Sequence, residues 1–198
     1  MIEIFSIILH LLTITVFCYT PNFVCSFLNN KKDQDIINRL EIGLILNLFI
    51  LLMFSFFLRS GSNFIYYFLV FIFLINFTFL LNDLFFSYKS KTLKINFIFL
   101  LFIFLFFIFS IDLSNNLKIG WDAQNYWLVK KLIFTNGGDF FDLKNTPRDD
   151  YPYLGSFIWH IYSKFSFLGY EYFGRLFYLY LFLLSIFSIV SIIKIKNI

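Results

Sequence analysis

Apolar residues run unbroken through most of this chain, and polar ones gather between the runs. Five stretches, residues 4–27, 42–58, 64–81, 95–111 and 173–193, have the length and apolarity of membrane-crossing helices, since a crossing needs about 20 apolar residues. The fourth is short and bracketed by Lys94 and Asp112; flanking side chains that snorkel bring it into range. Between the last two runs lies a long segment, residues 112–172, where the pattern changes. Asp122 stands where a helix N-cap belongs, residues 123–135 contain neither Gly nor Pro, and Gly137-Gly138 supplies a stop. At about 100° per residue, Asp122, Tyr126 and Lys130 share an arc of roughly 80° with Val129 and Ile133, while Ala123, Trp127 and Phe134 lie on one flank. Further on, Pro152 suits a first helical turn, and Asp149 and Asp150 before it suit the helix dipole. Ser156, His160 and Lys164 then recur at i, i+4 and i+8 opposite Leu154, Phe157, Ile158, Ile161 and Phe165. Both segments read as amphipathic helices lying on the membrane surface, the second with its polar face outward. Gly137 to Arg148 reads as an irregular link with Asp139 and Asp142 facing solvent.

Composition narrows the class. Of 198 residues, 60% are hydrophobic, 24% aromatic and only 14% charged, with mean hydropathy +0.79. That balance excludes an ordinary soluble domain. Phe occupies 33 positions, so single Phe residues carry little information. Cys18 and Cys25 lack metal-ligand spacing and do not form a disulfide framework; they read as small apolar side chains. The start of the chain, Met1-Ile2-Glu3-Ile4, lacks a basic leader region, so the first run reads as a retained span. Asn47, Asn76 and Asn96, in or beside spans, are expected to pair between helices.

Charge orients the spans. Lys31, Lys32, Arg39, Lys89, Lys91, Lys94, Lys194 and Lys196 all fall on one side if the spans alternate, against Arg59 alone in the opposite short loop. The positive-inside rule then puts these basic positions and the C-terminus in the cytoplasm, and the N-terminus and the 112–172 loop outside. The expected architecture is therefore all-α: a single polytopic membrane domain over residues 1–198, with about five transmembrane helices and a large external loop carrying two interfacial amphipathic helices. The lipid bilayer is its solvent, the bacterial plasma membrane its expected location, and no nucleic-acid partner is expected.

The residues Gly120-Trp121-Asp122-Ala123-Gln124-Asn125-Tyr126-Trp127-Leu128-Val129-Lys130-Lys131, followed downstream by Asp149-Asp150-Tyr151-Pro152 and ending at Gly155, resemble bacterial integral-membrane glycosyltransferases of the GT-C superfamily. They are nearest to the family 39, protein-mannosyltransferase-like group. The resemblance implies a polyprenyl-phosphate-linked sugar as donor and an acidic residue of the first external loop as base toward the acceptor hydroxyl. Asp122 matches that position, and a positioned carboxylate suits the removal of a hydroxyl proton. A lipid-phosphate leaving group calls for cations, and Lys130, Lys131 and Arg148 are the candidates. Asp150 matches the acidic position before Tyr-Pro, and Tyr126 and Trp127 are candidate substrate contacts, Trp127 by stacking on a sugar. No cofactor is implied. A divalent metal held by Asp122, Asp150 and His160 lacks supporting ligand spacing.

Two departures bear on this reading. The family commonly has Asp-Glu at the first motif, where this chain has Asp122-Ala123. Its members also run several hundred residues further, which makes this chain resemble an N-terminal portion and makes a second chain with the remaining spans a candidate partner. The rival reading is a non-catalytic scaffold or subunit of a glycan-assembly complex, and the short length favours it. A transporter is disfavoured, because acids and bases are missing from the centres of the apolar runs.

Overall fold

The computed structural model describes residues 2–29, 36–89 and 97–196, and among them the regular structure is helical throughout. Eight α-helices follow in order: α1 (Ile2–Phe17), α2 (Asn22–Asn29), α3 (Ile36–Phe57), α4 (Asn63–Lys89), α5 (Phe97–Asn115), α6 (Leu128–Thr135), α7 (Leu154–Lys164) and α8 (Glu171–Lys196). A π-helical turn, Ala123–Trp127, leads into α6, and a 3-10 helix, Phe140–Asn145, lies between α6 and α7. Among the described residues four helices are long and apolar enough to cross a membrane: α3, α4 over Asn63–Phe85, α5, and α8 over Glu171–Val190. The protein is an all-α, multi-pass membrane protein.

The first apolar run does not form one helix. It breaks after Phe17 into the shorter α1 and a separate α2. Pro21 lacks an amide hydrogen and disfavours helical geometry at the residue before it. In the link that results, the Thr20 carbonyl accepts from Arg39 Nε at 3.0 Å. Arg39 is thus a residue of α3 and not of a loop. Its guanidinium also binds Asp83 of α4 and the Tyr19 hydroxyl, tying the α1–α2 break to α3 and α4. At the same crossing Gly43 touches the α1–α2 link so closely that a Cβ there would lie 1.8 Å from the Cys18 carbonyl oxygen. Cys18 and Cys25 are both free and buried.

α8 is the hub, packed against α3, α5 and α7. Half of its span is buried, against 11% for α4, which leaves α4 most open to lipid. Asn47 of α3 accepts from Tyr162 Oη at 3.2 Å, and Asn76 Nδ2 of α4 donates to the Phe17 carbonyl at 3.3 Å; both make the interhelical bonds expected of polar residues within spans. Asn96, Lys31, Lys32, Lys91 and Lys94 lie outside the described residues.

The short α3–α4 link and the segment between α5 and α8 pack together at one end of the bundle. Ser60 Oγ donates toward the Phe134 and Gly138 carbonyls at 2.5 and 2.6 Å, and Arg59 Nε lies 3.4 Å from Asp139 Oδ2. Phe5, near the start of α1, stacks edge-on with Phe167 at the same end. The Tyr19–Arg39–Asp83 cluster lies at the opposite end of these helices. α3 and α4 therefore run antiparallel between these two ends.

α7 departs from its surface-lying expectation. Residues 156–163 are buried without interruption, with α6, α3 and α8 around them. Its polar stripe faces partners instead of water. Ser156 Oγ donates to the Trp127 carbonyl at 2.9 Å. His160 Nε2 lies 3.1 Å from Tyr66 Oη and Nδ1 lies 3.2 Å from Thr135 Oγ1. Of the three polar positions only Lys164 is exposed, its Nζ 3.9 Å over the Tyr66 ring. The 139–145 link is likewise ordered. Asp139 and Asp142 form a reciprocal capping box on the 3-10 helix, so these acids are spent on backbone donors and on Arg59.

A candidate site beneath the segment joining α5 and α8

The helix that carries Asp122 begins at Trp121, two residues earlier than the cap reading places it. Asp122 has helical dihedrals (φ −62°, ψ −40°) and its side chain makes no capping bond. It is exposed. The next five residues form a π turn, closed by the Leu128 amide donating to the Ala123 carbonyl. Such a turn inserts one residue into the helical register and recurs at functional sites. It also upsets the arc read at 3.6 residues per turn. Tyr126 is half-buried and Lys130 is buried, so the three positions do not share one solvent-facing stripe. α6 ends as its glycines predict. Gly137 takes φ +87°, its amide donates to the Phe134 carbonyl, and the Gly138 amide donates to the Ile133 carbonyl. This is the paired bonding of a Schellman stop.

The two motif segments, some twenty residues apart in sequence, meet in space. Lys130 Nζ donates to the Arg148 and Tyr151 carbonyls, both at 2.7 Å, and so holds the turn that carries Asp149 and Asp150. Arg148 sits at φ +57° there, a left-handed conformation uncommon outside glycine. Tyr151 packs against Tyr126 (5.3 Å between centroids) and Trp127 (6.4 Å), and the Arg148 guanidinium lies 5.6 Å over the Tyr151 ring. Burial lowers the Lys130 pKa, while Asp150 and then Asp149 pull it back up. The Arg148 pKa is raised, first by its hydrogen bond with Tyr126 and further by Tyr151 and Asp150. Lys131 is also buried; desolvation lowers its pKa and Glu171 opposes that shift. Asp150 is exposed, its amide bonded to Asp149 Oδ1 at 3.0 Å. Neither acid caps α7, whose N-cap is Tyr153.

Of the cations expected to hold phosphate, Lys130 is therefore committed to two backbone carbonyls, whereas Arg148 stands at the surface. Among the described residues no group of three or more His, Cys, Asp or Glu is placed to hold a metal. His160 is engaged by Tyr66 and Thr135. Burial, and then Lys164 and Lys131, push its pKa down to about 4.

Below the π turn lies a cavity of about 730 Å³, within the usual size of a small-ligand site. Ala123 and Trp127 form one wall, Gly155 and Trp159 of α7 a second, and Arg175, Tyr178 and Leu179 of α8 a third. Gly155 borders the Trp127 ring loosely enough that a Cβ there would stand at an ordinary contact distance of 3.5 Å. The walls are braced by Tyr178 Oη donating to the Gly155 carbonyl and by Trp159 Nε1 donating to the Glu171 carbonyl at 3.2 Å. Arg175 is the one charged residue among those described in the lining. A second, smaller hollow between α5 and α8 shares Leu113, Leu179 and Phe182 with the first and adds Phe109, Asp112 and Asn116. The two form one groove descending along α5 and α8.

Arg175 was not singled out from the sequence. The signal available was a cation one turn inside an apolar run, Glu171 four residues before it. His10 was missed as well. It stands in the middle of α1, buried and edge-on to Tyr162 and Phe173, so the apolar runs are not free of titratable groups. Comparison with family models, with curated proteins and with solved structures returns no match to this chain.

Proposed function

We propose that this chain is a membrane glycosyltransferase, or the N-terminal part of one, that uses a polyprenyl-phosphate sugar as donor and acts at the external face of the membrane. The observation that carries the reading is the junction of the two motif segments, Gly120–Lys131 and Asp149–Gly155, over an apolar cavity whose one charged lining residue is a cation. An isoprenoid chain needs a largely apolar channel, and the α5–α8 groove offers one whose only polar lining among the described residues of its second hollow is Asp112 and Asn116. A phosphate at its upper end needs a guanidinium or ammonium, which Arg175 supplies within the cavity and Arg148 at the surface.

In the proposed reaction an acceptor hydroxyl oxygen bonds to the anomeric carbon as the bond from that carbon to the phosphate oxygen breaks. The phosphate keeps the bonding pair, and Asp122 takes the hydroxyl proton. Asp122 suits this role because it is exposed and its side chain is not used in capping. It is the neighbour of Ala123 at the cavity wall. Trp127, on that wall, offers a flat face to a sugar. The bacterial plasma membrane, with the N-terminus outside and the basic loops cytoplasmic, is the location this reading requires.

The test is transfer of labelled sugar from a polyprenyl-phosphate donor by the full chain in nanodiscs, supplied with any partner chain, alongside Asp122→Asn. Transfer by Asp122→Asn at the wild-type rate refutes the assignment of the base. The second reading, a non-catalytic subunit, draws on the commitment of Lys130 to the backbone. It predicts lipid-phosphate binding with no transfer by any variant.

A further inference from the structure

The cavity's cation is already engaged. Arg175 Nη2 lies 3.1 Å from Glu171 Oε2, one turn earlier on α8. The pairing is incomplete on both sides: Arg175 Nε and Glu171 Oε1 are both buried with no hydrogen-bond partner. A guanidinium can bind an oxyanion through two parallel N–H bonds, and here one edge donor is left over. Buried polar atoms without partners are uncommon in a finished structure. Depth along α8 is graded as well. Arg175, Leu179 and Phe182 follow at i, i+4 and i+7, all lining the cavity, so the cation stands at the upper end and apolar side chains continue below it for about 10 Å.

We propose that Glu171 is a resident competitor for Arg175: it holds the guanidinium while the cavity is empty, gives it up to the phosphate of an entering polyprenyl lipid, and by its charge keeps a doubly charged phosphomonoester from binding tightly. This takes from the proposed function only the lipid-phosphate chemistry of the ligand. Together Arg175 and Glu171 are neutral, so the second negative charge of a phosphate gains nothing from the pair. A sugar-bearing phosphodiester carries one negative charge, while the monoester left after transfer carries between one and two at pH 7, its second pKa being about 6. Glu171 thereby weakens the hold on the product relative to the donor, which favours release. With Glu171 neutralised, the charge of Arg175 is no longer offset by its ion-pair partner and favours the dianion.

The experiment is a titration of tryptophan fluorescence, since Trp127 and Trp159 line the cavity, in nanodiscs of neutral phosphatidylcholine. The probes are a polyprenyl phosphate, its glucose phosphodiester and phosphatidic acid. Arg175→Gln is expected to weaken both polyprenyl ligands about tenfold or more, with partial recovery in Arg175→Lys. Glu171→Gln is expected to tighten both, the monoester by about tenfold and the diester by less, as removal of one like charge at contact range implies. A purely structural ion pair would instead make the two variants lose binding together. That result overturns the inference, as does a Glu171→Gln that leaves the monoester-to-diester ratio unchanged. Phosphatidic acid binding as tightly as polyprenyl phosphate overturns the assignment to a polyprenyl lipid. If these shifts occur but no variant transfers sugar, the transferase reading fails and the competitor role stands. Transfer with unshifted binding fails the competitor role alone.

Discussion

Replacing Lys130 by Met would test whether one buried amine holds the two motif segments together. Lys130 is fully buried, and its Nζ donates to the Arg148 and Tyr151 carbonyls at 2.7 Å each. Methionine keeps an unbranched apolar stem of similar reach and removes both donors. Hydrogen bonds from a charged group contribute about 1.5–3 kcal/mol each. Against their sum stands the cost of burying the ammonium, whose pKa is lowered chiefly by desolvation. Release of Arg148 from φ +57° returns about 1 kcal/mol. The net loss is about 2–3 kcal/mol, and it falls on the turn at residues 146–152 before it reaches the bundle. Trypsin reads this directly, because Arg148 is exposed but fixed in the turn. Such a loss corresponds to cleavage at Arg148 faster by about 30- to 150-fold. Lys118, exposed in the irregular stretch before Trp121, serves as internal standard and is expected to be cut at an unchanged rate. Equal cleavage at Arg148 in the wild type and in Lys130→Met, with equal thermal midpoints, would refute the reasoning and return Lys130 to the pool of free phosphate ligands.

Three further outcomes follow from the geometry. His160 titrates near 4 in the folded chain, against 6.5 when unfolded; its pKa is depressed, the unfolded state binds the proton first, and stability is lost as pH falls from about 6.5 toward 4. The ceiling on that loss is roughly 3 kcal/mol, read as a thermal midpoint against pH in nanodiscs, and His160→Gln should flatten the dependence; an equally steep fall in His160→Gln would assign it to other groups. Gly174→Ala puts a Cβ 2.2 Å from the Trp159 carbonyl oxygen, whereas Gly155→Ala meets nothing closer than 3.4 Å, so the first should cost about 3 kcal/mol or more and the second under 1; equal melting temperatures for the two would contradict the close α7–α8 approach. Arg39→Leu should destabilise by about 2 kcal/mol, because it strands Asp83 and the Thr20 carbonyl, and adding Asp83→Leu should recover part of that; a double variant less stable than Arg39→Leu would show that the pair is not the coupling.

Local chemistry alone determined a large part of this molecule. Long apolar runs satisfy their backbones in lipid as helices, and the described residues of the runs at 42–58, 64–81, 95–111 and 173–193 lie within α3, α4, α5 and α8 except Leu58. The Gly137-Gly138 stop is equally local, because a positive φ needs little beyond glycine itself. What failed to show was whatever depended on a distant partner. The polar stripe of α7 has the spacing of a water-facing surface, yet Tyr66, Thr135 and the Trp127 carbonyl receive His160 and Ser156, and periodicity cannot distinguish water from a protein partner.

The same limit governs the site. Asp122, Tyr126 and Lys130 were aligned by assuming 3.6 residues per turn, and the π turn at Ala123–Trp127 shifts that register. Lys130 looks like any interfacial lysine until the Arg148–Tyr151 turn folds onto it. Arg175 looks like a flanking cation until α5, α7 and α8 close a cavity in front of it. The chain by itself determined which segments become helices and where the chemistry-bearing residues stand along them. Only the tertiary structure decided which of those residues are spent on holding the loop and which are left facing a ligand, because burial and hydrogen-bond partnership belong to pairs of segments and not to either one.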